Sequence, residues 1–109
     1  MTKYGRRTDS NQSHLVEAFE KLGVAVVDLS KAAQFHPGLP DLLCSMHGYT
    51  FLAECKTDVG ELNPAQIHFM EQWKGAVKVV RTTDDVIAIV ADIKAMTGRG
   101  RFVSKGAMP

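Results

Sequence analysis

Two short apolar segments separated by a turn constrain the fold of this chain more than any other feature of its sequence. Residues 41–45 and residues 50–56 are joined by the residues MHGY, which contain a turn, so the two segments predict a β-hairpin. Alternation along a strand places Leu52, Glu54 and Lys56 on one face of the second segment. A carboxylate and an ammonium group are therefore expected to project together near the end of this strand.

A helix follows the hairpin and leads into another strand. Asn63 is a capping residue and Pro64 takes the first helical position, so a helix is expected to begin there and continue to Gly75. Residues 76–81 are rich in valine and predict a strand. Because a helical crossover joins strands that run in the same direction, this strand and the strand at 50–56 are expected to pair in parallel.

Three further segments complete the predicted chain. The spacing of its apolar residues predicts a first helix from about residue 9 to Gly23, followed by a β-branched strand at 24–30. An apolar stripe predicts a last helix over residues 83–98. The predicted order is α-β-β-β-α-β-α, which defines an α/β fold with a mixed central sheet and helices on its faces.

The length and composition predict a single domain inside the cell. The 109 residues allow one modest core, and no apolar stretch approaches the roughly 20 residues that span a bilayer. The N-terminus lacks the apolar segment of a secretory signal. Cys44 and Cys55 are therefore expected to be reduced and buried rather than bridged. The expectation is a cytoplasmic protein with no membrane partner.

Positive charge is concentrated at the two ends of the chain. Residues 1–8 carry +3 and residues 93–109 carry +4, whereas residues 9–92 carry −6. We therefore predict a basic N-terminal arm at 1–8, a folded domain at 9–97 and a basic flexible tail at 98–109. A nucleic-acid backbone is one natural partner of such arms, and short tails that only aid solubility are the alternative. The candidate DNA-binding residues in the arms are Arg6, Arg7, Arg99 and Arg101.

Two carboxylates and a lysine converge at one end of the predicted hairpin. Asp41 begins the first strand and Glu54 nearly ends its antiparallel partner, so both lie near the same end of the pair. Carboxylate oxygens suit Mg²⁺ or Mn²⁺, which are hard cations that polarise phosphodiesters and acidify water. Lys56, on the same face, could stabilise negative charge in a transition state. The alternative is a solvated ion-pair cluster worth under about 1 kcal/mol.

The pattern Asp-x12-Glu-x-Lys, preceded by Gly-Leu-Pro, resembles the PD-(D/E)XK nuclease superfamily, whose core has the order α-β-β-β-α-β. Within it the chain is most similar to the VRR-NUC branch, including small stand-alone forms of phage type. The resemblance covers about residues 9–92 and implies a restriction-endonuclease-like core, to which the last helix is added. It is carried by NQ at 11–12, GLPDLL at 38–43, AECK at 53–56, LNPAQ at 62–66 and VVRT at 79–82.

The resemblance implies a role for each matching residue. Asp41 and Glu54 would bind Mg²⁺ or Mn²⁺, with the backbone carbonyl of Cys55 as a third protein ligand. Lys56 would be the catalytic lysine. Gln66 matches a catalytic-site glutamine that family members place near the metal and its waters. A capping-box role at the start of the helix is the alternative for Gln66.

Two other positions are candidates by resemblance. Family members often complete the site with an acid on the first helix, where this chain has Asn11 and Gln12, and Glu17 is the acid nearer the helix middle. These three are candidate additional site residues, although a solvated position is the alternative for Glu17. An arginine recurs in the branch at the position of Arg81, where it would contact a phosphate. Pairing with the aspartates at 84–85 is the alternative.

The implied activity is that of a Mg²⁺- or Mn²⁺-dependent endodeoxyribonuclease with no organic cofactor. Cutting both strands needs two active sites, so a homodimer is expected. Stand-alone members of the branch imply branched DNA as substrate, namely a four-way (Holliday) junction. The alternatives are flaps, nicks, duplex DNA or, more weakly, RNA, and from another class a catalytically silent DNA-binding subunit. A phage-encoded protein of this kind would act in the host cytoplasm.

Overall fold

The computed structural model of the chain describes residues 3–98, and for residues 3–10 it describes the backbone alone. The order of elements is the one that the sequence predicts, and it confirms an α/β fold with a mixed sheet and a C-terminal helix. One short 3-10 turn, Ala32–Gln34, lies between the first two strands. The elements are α1 (Lys3–Lys21), β1 (Ala25–Asp28), β2 (Leu42–Met46), β3 (Tyr49–Cys55), α2 (Pro64–Gln72), β4 (Val77–Val80) and α3 (Thr83–Thr97).

The four strands form one sheet in the order β1-β2-β3-β4. β2 pairs with both β1 and β3 in antiparallel fashion, and β3 pairs with β4 in parallel, so the expected crossover is confirmed. The hairpin between β2 and β3 closes through His47 and Gly48, whose φ angles of 52° and 81° are both left-handed. Two such residues form the turn that matches the twist of paired strands.

The core lies on one face of the sheet, beneath α1 and α3. Phe19 of α1 and Phe51 of β3 are fully buried, with ring centroids 5.8 Å apart. Cys44 and Cys55 are buried and free in the same core, which confirms that they are not bridged. Among the described residues no helix has both the length and the apolar character needed to cross a membrane.

Two helix boundaries differ from those predicted. The first helix begins at Lys3 rather than near residue 9, so it extends back into the segment predicted as an N-terminal arm. This first part is polar and carries no apolar period, which is why the sequence pattern did not include it. α2 ends at Gln72 rather than continuing to Gly75, because Trp73 turns to an extended backbone and stacks on Phe69 at 5.3 Å.

Candidate active site at the open end of the hairpin

The approach to Asp41 requires a glycine. Gly38 has a φ of +87°, and a Cβ added there would lie 2.1 Å from the carbonyl oxygen of Ala65 in the first turn of α2. No side chain fits between the loop and the helix at this distance. Pro40, two residues on, is fully buried. The Gly-Leu-Pro segment is therefore pressed against the start of α2, which brings Asp41 and Gln66 into one region.

Asp41 is held by the ends of two strands. Its carbonyl accepts a hydrogen bond from the amide of Leu29 at 2.7 Å, just beyond β1. Its Oδ2 accepts a hydrogen bond from the amide of Cys55 at 2.8 Å, at the end of β3. The carboxylate is thereby directed across the hairpin towards the position of Glu54, as the sequence register predicts.

Glu54 is buried, with 3% of its surface exposed, and Gln66 reaches it from α2. The Nε2 of Gln66 donates to the Oε2 of Glu54 at 2.9 Å. The Oε1 of the same side chain accepts from the amide of Asn63 at 2.9 Å, while the Asn63 side chain accepts from the amide of Gln66. Gln66 therefore completes a capping box with one end of its amide and orients Glu54 with the other.

The carboxyl groups of Asp41 and Glu54 are hydrogen bonded to each other. Burial raises the pKa of both, and the negative charge of Asp41 helps to raise the pKa of Glu54 to about 8. The interaction between the two side chains lowers the pKa of Asp41 and raises that of Glu54. A cation bound to both carboxyl groups would favour their charged forms.

Lys56 lies immediately after β3, and its backbone is fixed on both sides. Its amide donates to the carbonyl of Val80 at 2.9 Å, and its carbonyl accepts from the Nδ2 of Asn11 at 2.8 Å. Its positive charge lowers the pKa of both Asp41 and Glu54, opposing the effect of burial. The structure thus brings the three residues of the predicted motif together, and it places Asn11 behind the lysine.

A further acid, Asp28, stands beside this group and was not a candidate from the sequence. It ends β1, accepts from the Nε2 of the buried Gln12 at 3.2 Å, and its negative charge raises the pKa of Asp41. The hydrogen bond from the Ser30 hydroxyl is the largest cause of a lowered pKa of Asp28, and the bond from the Ser30 amide lowers it further. The sequence did contain a signal for Asp28. It ends a predicted strand, and antiparallel pairing of that strand with β2 places it opposite Leu42, the residue after Asp41.

Glu17 lines a groove that also contains Gln12 and Asp28. It is exposed on the wall of this open groove, which has a volume of about 930 Å³ and lies between α1 and the edge strand β1. Glu20 and Asp28 also line this groove, together with a single lysine, Lys31. Three carboxylates and one amine therefore line this groove, which gives it a negative charge.

The candidate DNA-binding residues divide into two groups. Arg81 is described, and its guanidinium is turned towards the carbonyl oxygens of the loop after β3, with distances of 2.7 Å to Thr57 and 2.6 Å to Gly60. Its backbone amide, not its side chain, bonds to Asp85. The side chains of Arg6 and Arg7, and the whole of Arg99 and Arg101, lie outside the described residues.

The carboxylate pair suits a hard divalent cation by its chemistry. Among the described residues no group of three or more His, Cys, Asp and Glu side chains is arranged to hold a metal. Mg²⁺, however, is commonly held by one or two carboxylates and completes its shell with water. Asp41 and Glu54 offer two such groups, and a cation bound by both would offset the repulsion that helps to raise the pKa of Glu54.

Comparisons of the chain with protein families, with curated proteins and with solved structures found no match.

Proposed function

We propose that this chain is a Mg²⁺- or Mn²⁺-dependent endodeoxyribonuclease with a restriction-endonuclease-like core. The observation that supports it most is the pair formed by the buried Glu54 and the partly buried Asp41, with the charge of Lys56 beside it. A surface ion-pair cluster would leave its carboxylates solvated, whereas Glu54 is 3% exposed. A buried acid with a strongly raised pKa, as Glu54 has, is typical of functional sites.

Each residue of the cluster has a distinct task in this proposal. Asp41 and Glu54 would hold the cation, with the carbonyl of Cys55 as a further ligand, and Gln66 keeps Glu54 oriented. The cation would supply Lewis-acid polarisation of the phosphodiester and a more acidic water. Lys56 would stabilise the negative charge that develops on the phosphoryl oxygens during hydrolysis. Asn11 fixes the backbone from which the lysine projects.

The order of elements supports the same proposal. A core of α-β-β-β-α-β with the motif at the end of a central hairpin is what resemblance to the PD-(D/E)XK superfamily and its VRR-NUC branch implies. DNA as substrate, a four-way junction in particular, and a homodimer follow from this analogy and from the need for two cuts. Arg6, Arg7, Arg99 and Arg101 are the proposed contacts to the DNA backbone.

The proposal predicts metal-dependent cleavage that requires Lys56. The purified protein would be incubated with a synthetic four-way junction, a flap, a nicked duplex and a linear duplex, with Mg²⁺, with Mn²⁺ or with chelator. Chelator should abolish cutting, and Lys56→Ala should lower the rate by about 100-fold or more, because a charge-stabilising donor is lost. Lys74→Ala, which removes an exposed lysine between α2 and β4, is the matched control and should cut normally.

The same assay separates the alternatives. Equal rates on all four substrates would remove the preference for junctions but leave the nuclease assignment. Absence of cleavage with either metal, together with unchanged DNA binding in Asp41→Ala, would contradict the proposal and favour a silent binding subunit.

A further inference from the structure

Arg81 contacts its own chain through the end of its guanidinium. Nη1 donates to the carbonyl of Thr57 at 2.7 Å and to that of Gly60 at 2.6 Å, while the carbonyl of Asp58 lies at 3.5 Å. A guanidinium nitrogen of this kind carries two hydrogens, and the two short bonds use both. Nη1 therefore has no hydrogen left for a phosphate oxygen.

The loop that Arg81 binds is a tight turn. The amide of Gly60 donates to the carbonyl of Thr57 at 3.2 Å, so the same carbonyl accepts from both Gly60 and Arg81. Without the arginine, this exposed turn is closed by a single long hydrogen bond. The guanidinium thus provides the shorter bonds that hold the two ends of the turn together.

The turn lies alongside the Lys56 side chain. Gly60 is near the aliphatic part of Lys56: a Cβ built on it would lie 3.6 Å from the Cδ of Lys56, so the glycine leaves room for about one methyl group between the turn and this side chain. Val80 and Asn11 fix the backbone of Lys56 by hydrogen bonds. The direction of its amine therefore depends on the groups that surround the aliphatic part of the Lys56 side chain. The turn at 57–60 is one of these surrounding groups and limits where the Lys56 side chain can lie.

The arginine is itself anchored to rigid elements. It follows β4 directly, and its amide donates to the Oδ2 of Asp85 at 2.8 Å. Asp85 belongs to the capping box that starts α3, where it exchanges hydrogen bonds with Thr82. Arg81 consequently links the sheet and α3 to the turn beside the lysine.

We propose that Arg81 is a positioning residue, which holds the 57–60 turn against Lys56 and so directs its amine towards Asp41 and Glu54. This inference rests on the proposed nuclease function and deepens it. Positioning and phosphate contact are different roles for Arg81, because the bonds to the turn use Nη1 alone, and the tests below are chosen to separate them. Loss of the arginine should therefore lower the rate of turnover. The affinity for DNA and the salt dependence of binding should stay nearly unchanged.

The first test needs neither DNA nor metal. Backbone ¹⁵N order parameters would be measured for residues 57–60 in the wild type, Arg81→Gln and Arg81→Lys, with Lys74→Gln as a control that removes one exposed charge elsewhere. In both Arg81 variants the order parameters should fall from about 0.85, typical of rigid backbone, to below about 0.6. The control should match the wild type. Lysine cannot restore order, since it keeps the charge but its single nitrogen ends one atom short of the guanidinium.

The second test separates positioning from phosphate contact. In a positioning role both Arg81 variants lower kcat on the order of tenfold with KM almost unchanged, because misplacement of a reacting group costs rate. Binding measured in chelator should also keep its salt dependence. A phosphate contact gives a different pattern: Arg81→Lys retains function, Arg81→Gln raises KM, and the slope of log K against log salt falls by about 0.9.

The outcomes of the two tests are independent. Two results overturn the positioning role even if the enzyme cuts DNA. One is a 57–60 turn that stays ordered in Arg81→Gln, and the other is a slope of log K against log salt that falls by about 0.9, as expected for one lost phosphate contact. A wild type that never cuts contradicts the nuclease proposal, while the order parameters still decide whether Arg81 holds the turn. Arg81→Lys carries both measurements if the glutamine variant does not fold.

Discussion

Glu54 is the most deeply buried carboxylate among the described residues. It combines 3% exposure with a hydrogen bond from Gln66 and another shared with Asp41. Burial is the largest cause of its raised pKa of about 8, and the charge of Asp41 adds to it. At neutral pH and without a cation the residue is therefore mainly protonated, and it becomes a strong ligand only when a cation displaces the proton.

This protonation predicts a stability that falls as pH rises. The ordinary pKa of the group is 4.5 and its native value is about 8, so the folded chain binds more protons than the unfolded chain between these values. The free energy of unfolding of the metal-free protein should therefore decrease from about pH 4.5 to about pH 8. Urea unfolding at pH 5, 6.5 and 8 should show this slope in the wild type.

Glu54→Gln should remove most of that slope. Its amide oxygen keeps an acceptor for Gln66 without a charge to bury, so it should stabilise the metal-free protein at pH 8 by on the order of 2 kcal/mol. Mg²⁺ should stabilise the wild type at pH 8 and leave this variant unchanged. Glu71→Gln, an exposed acid on α2, is the control. A slope in Glu54→Gln equal to that of the wild type would refute the assignment.

At the scale of elements, the contact between the Gly-Leu-Pro loop and α2 decides the shape of the site. The loop carries Asp41 and the helix carries Gln66, and neither belongs to the main core. α2 has no buried residue, and its hold on the domain includes this contact and the hydrogen bond to Glu54. The backbone of Gly38 is where the two elements touch.

Two glycines with similar backbones allow this contact to be tested. Gly23 has a φ of +95°, but a Cβ there would meet only the Cε of Met46 at 3.5 Å, an ordinary contact. Gly23→Ala should therefore cost about 1 kcal/mol of unfolding free energy, from the left-handed backbone alone. Gly38→Ala adds a Cβ 2.1 Å from the Ala65 oxygen and should cost roughly 2 kcal/mol more, since the backbone must move.

The measurement is urea unfolding of both variants, with the side-chain amide signals of Gln66 followed by NMR. Gly38→Ala should shift these signals, because α2 moves relative to Glu54, and Gly23→Ala should not. Equal costs for the two substitutions would show that the loop and the helix are not in tight contact.

At the scale of the whole molecule, the two cysteines report on the integrity of the core. Burial raises the pKa of the Cys44 thiol to about 12 and raises that of Cys55 as well, with nearby acids contributing to the latter. Both therefore lack the thiolate form that reacts with thiol reagents near neutral pH. Reaction should require opening of the sheet and helices together.

Thiol labelling at pH 8 should accordingly be slow in the native protein and fast in urea. For a domain of ordinary stability the native rate should be roughly 1,000-fold or more below the unfolded rate. Thr50→Cys, which places a thiol at an exposed position of β3, is the control and should label rapidly without unfolding. Rapid labelling of Cys44 in the folded protein would mean that the core opens locally.

Local patterns in the sequence were enough to predict the order of elements, the hairpin and the parallel crossover. Alternation, capping residues and turn residues are properties of neighbouring positions, and the register of the hairpin follows from them. The meeting of Asp41, Glu54 and Lys56 was predictable for the same reason. Asn63 and Gln66 likewise form the capping box that their spacing indicates.

Contacts between residues far apart in the chain depend on tertiary packing and could not be predicted from sequence patterns. Three interactions depend on how helices and loops pack across the sheet. They are the approach of Asp28 to Asp41, the hydrogen bond from Asn11 to the carbonyl of Lys56, and the hydrogen bonds from Arg81 to the 57–60 turn. The depth at which Glu54 is buried, and hence its pKa, depends on the same packing. The physical reason is that a side chain's partners and dielectric surroundings are set by the distances between elements, which no local spacing contains.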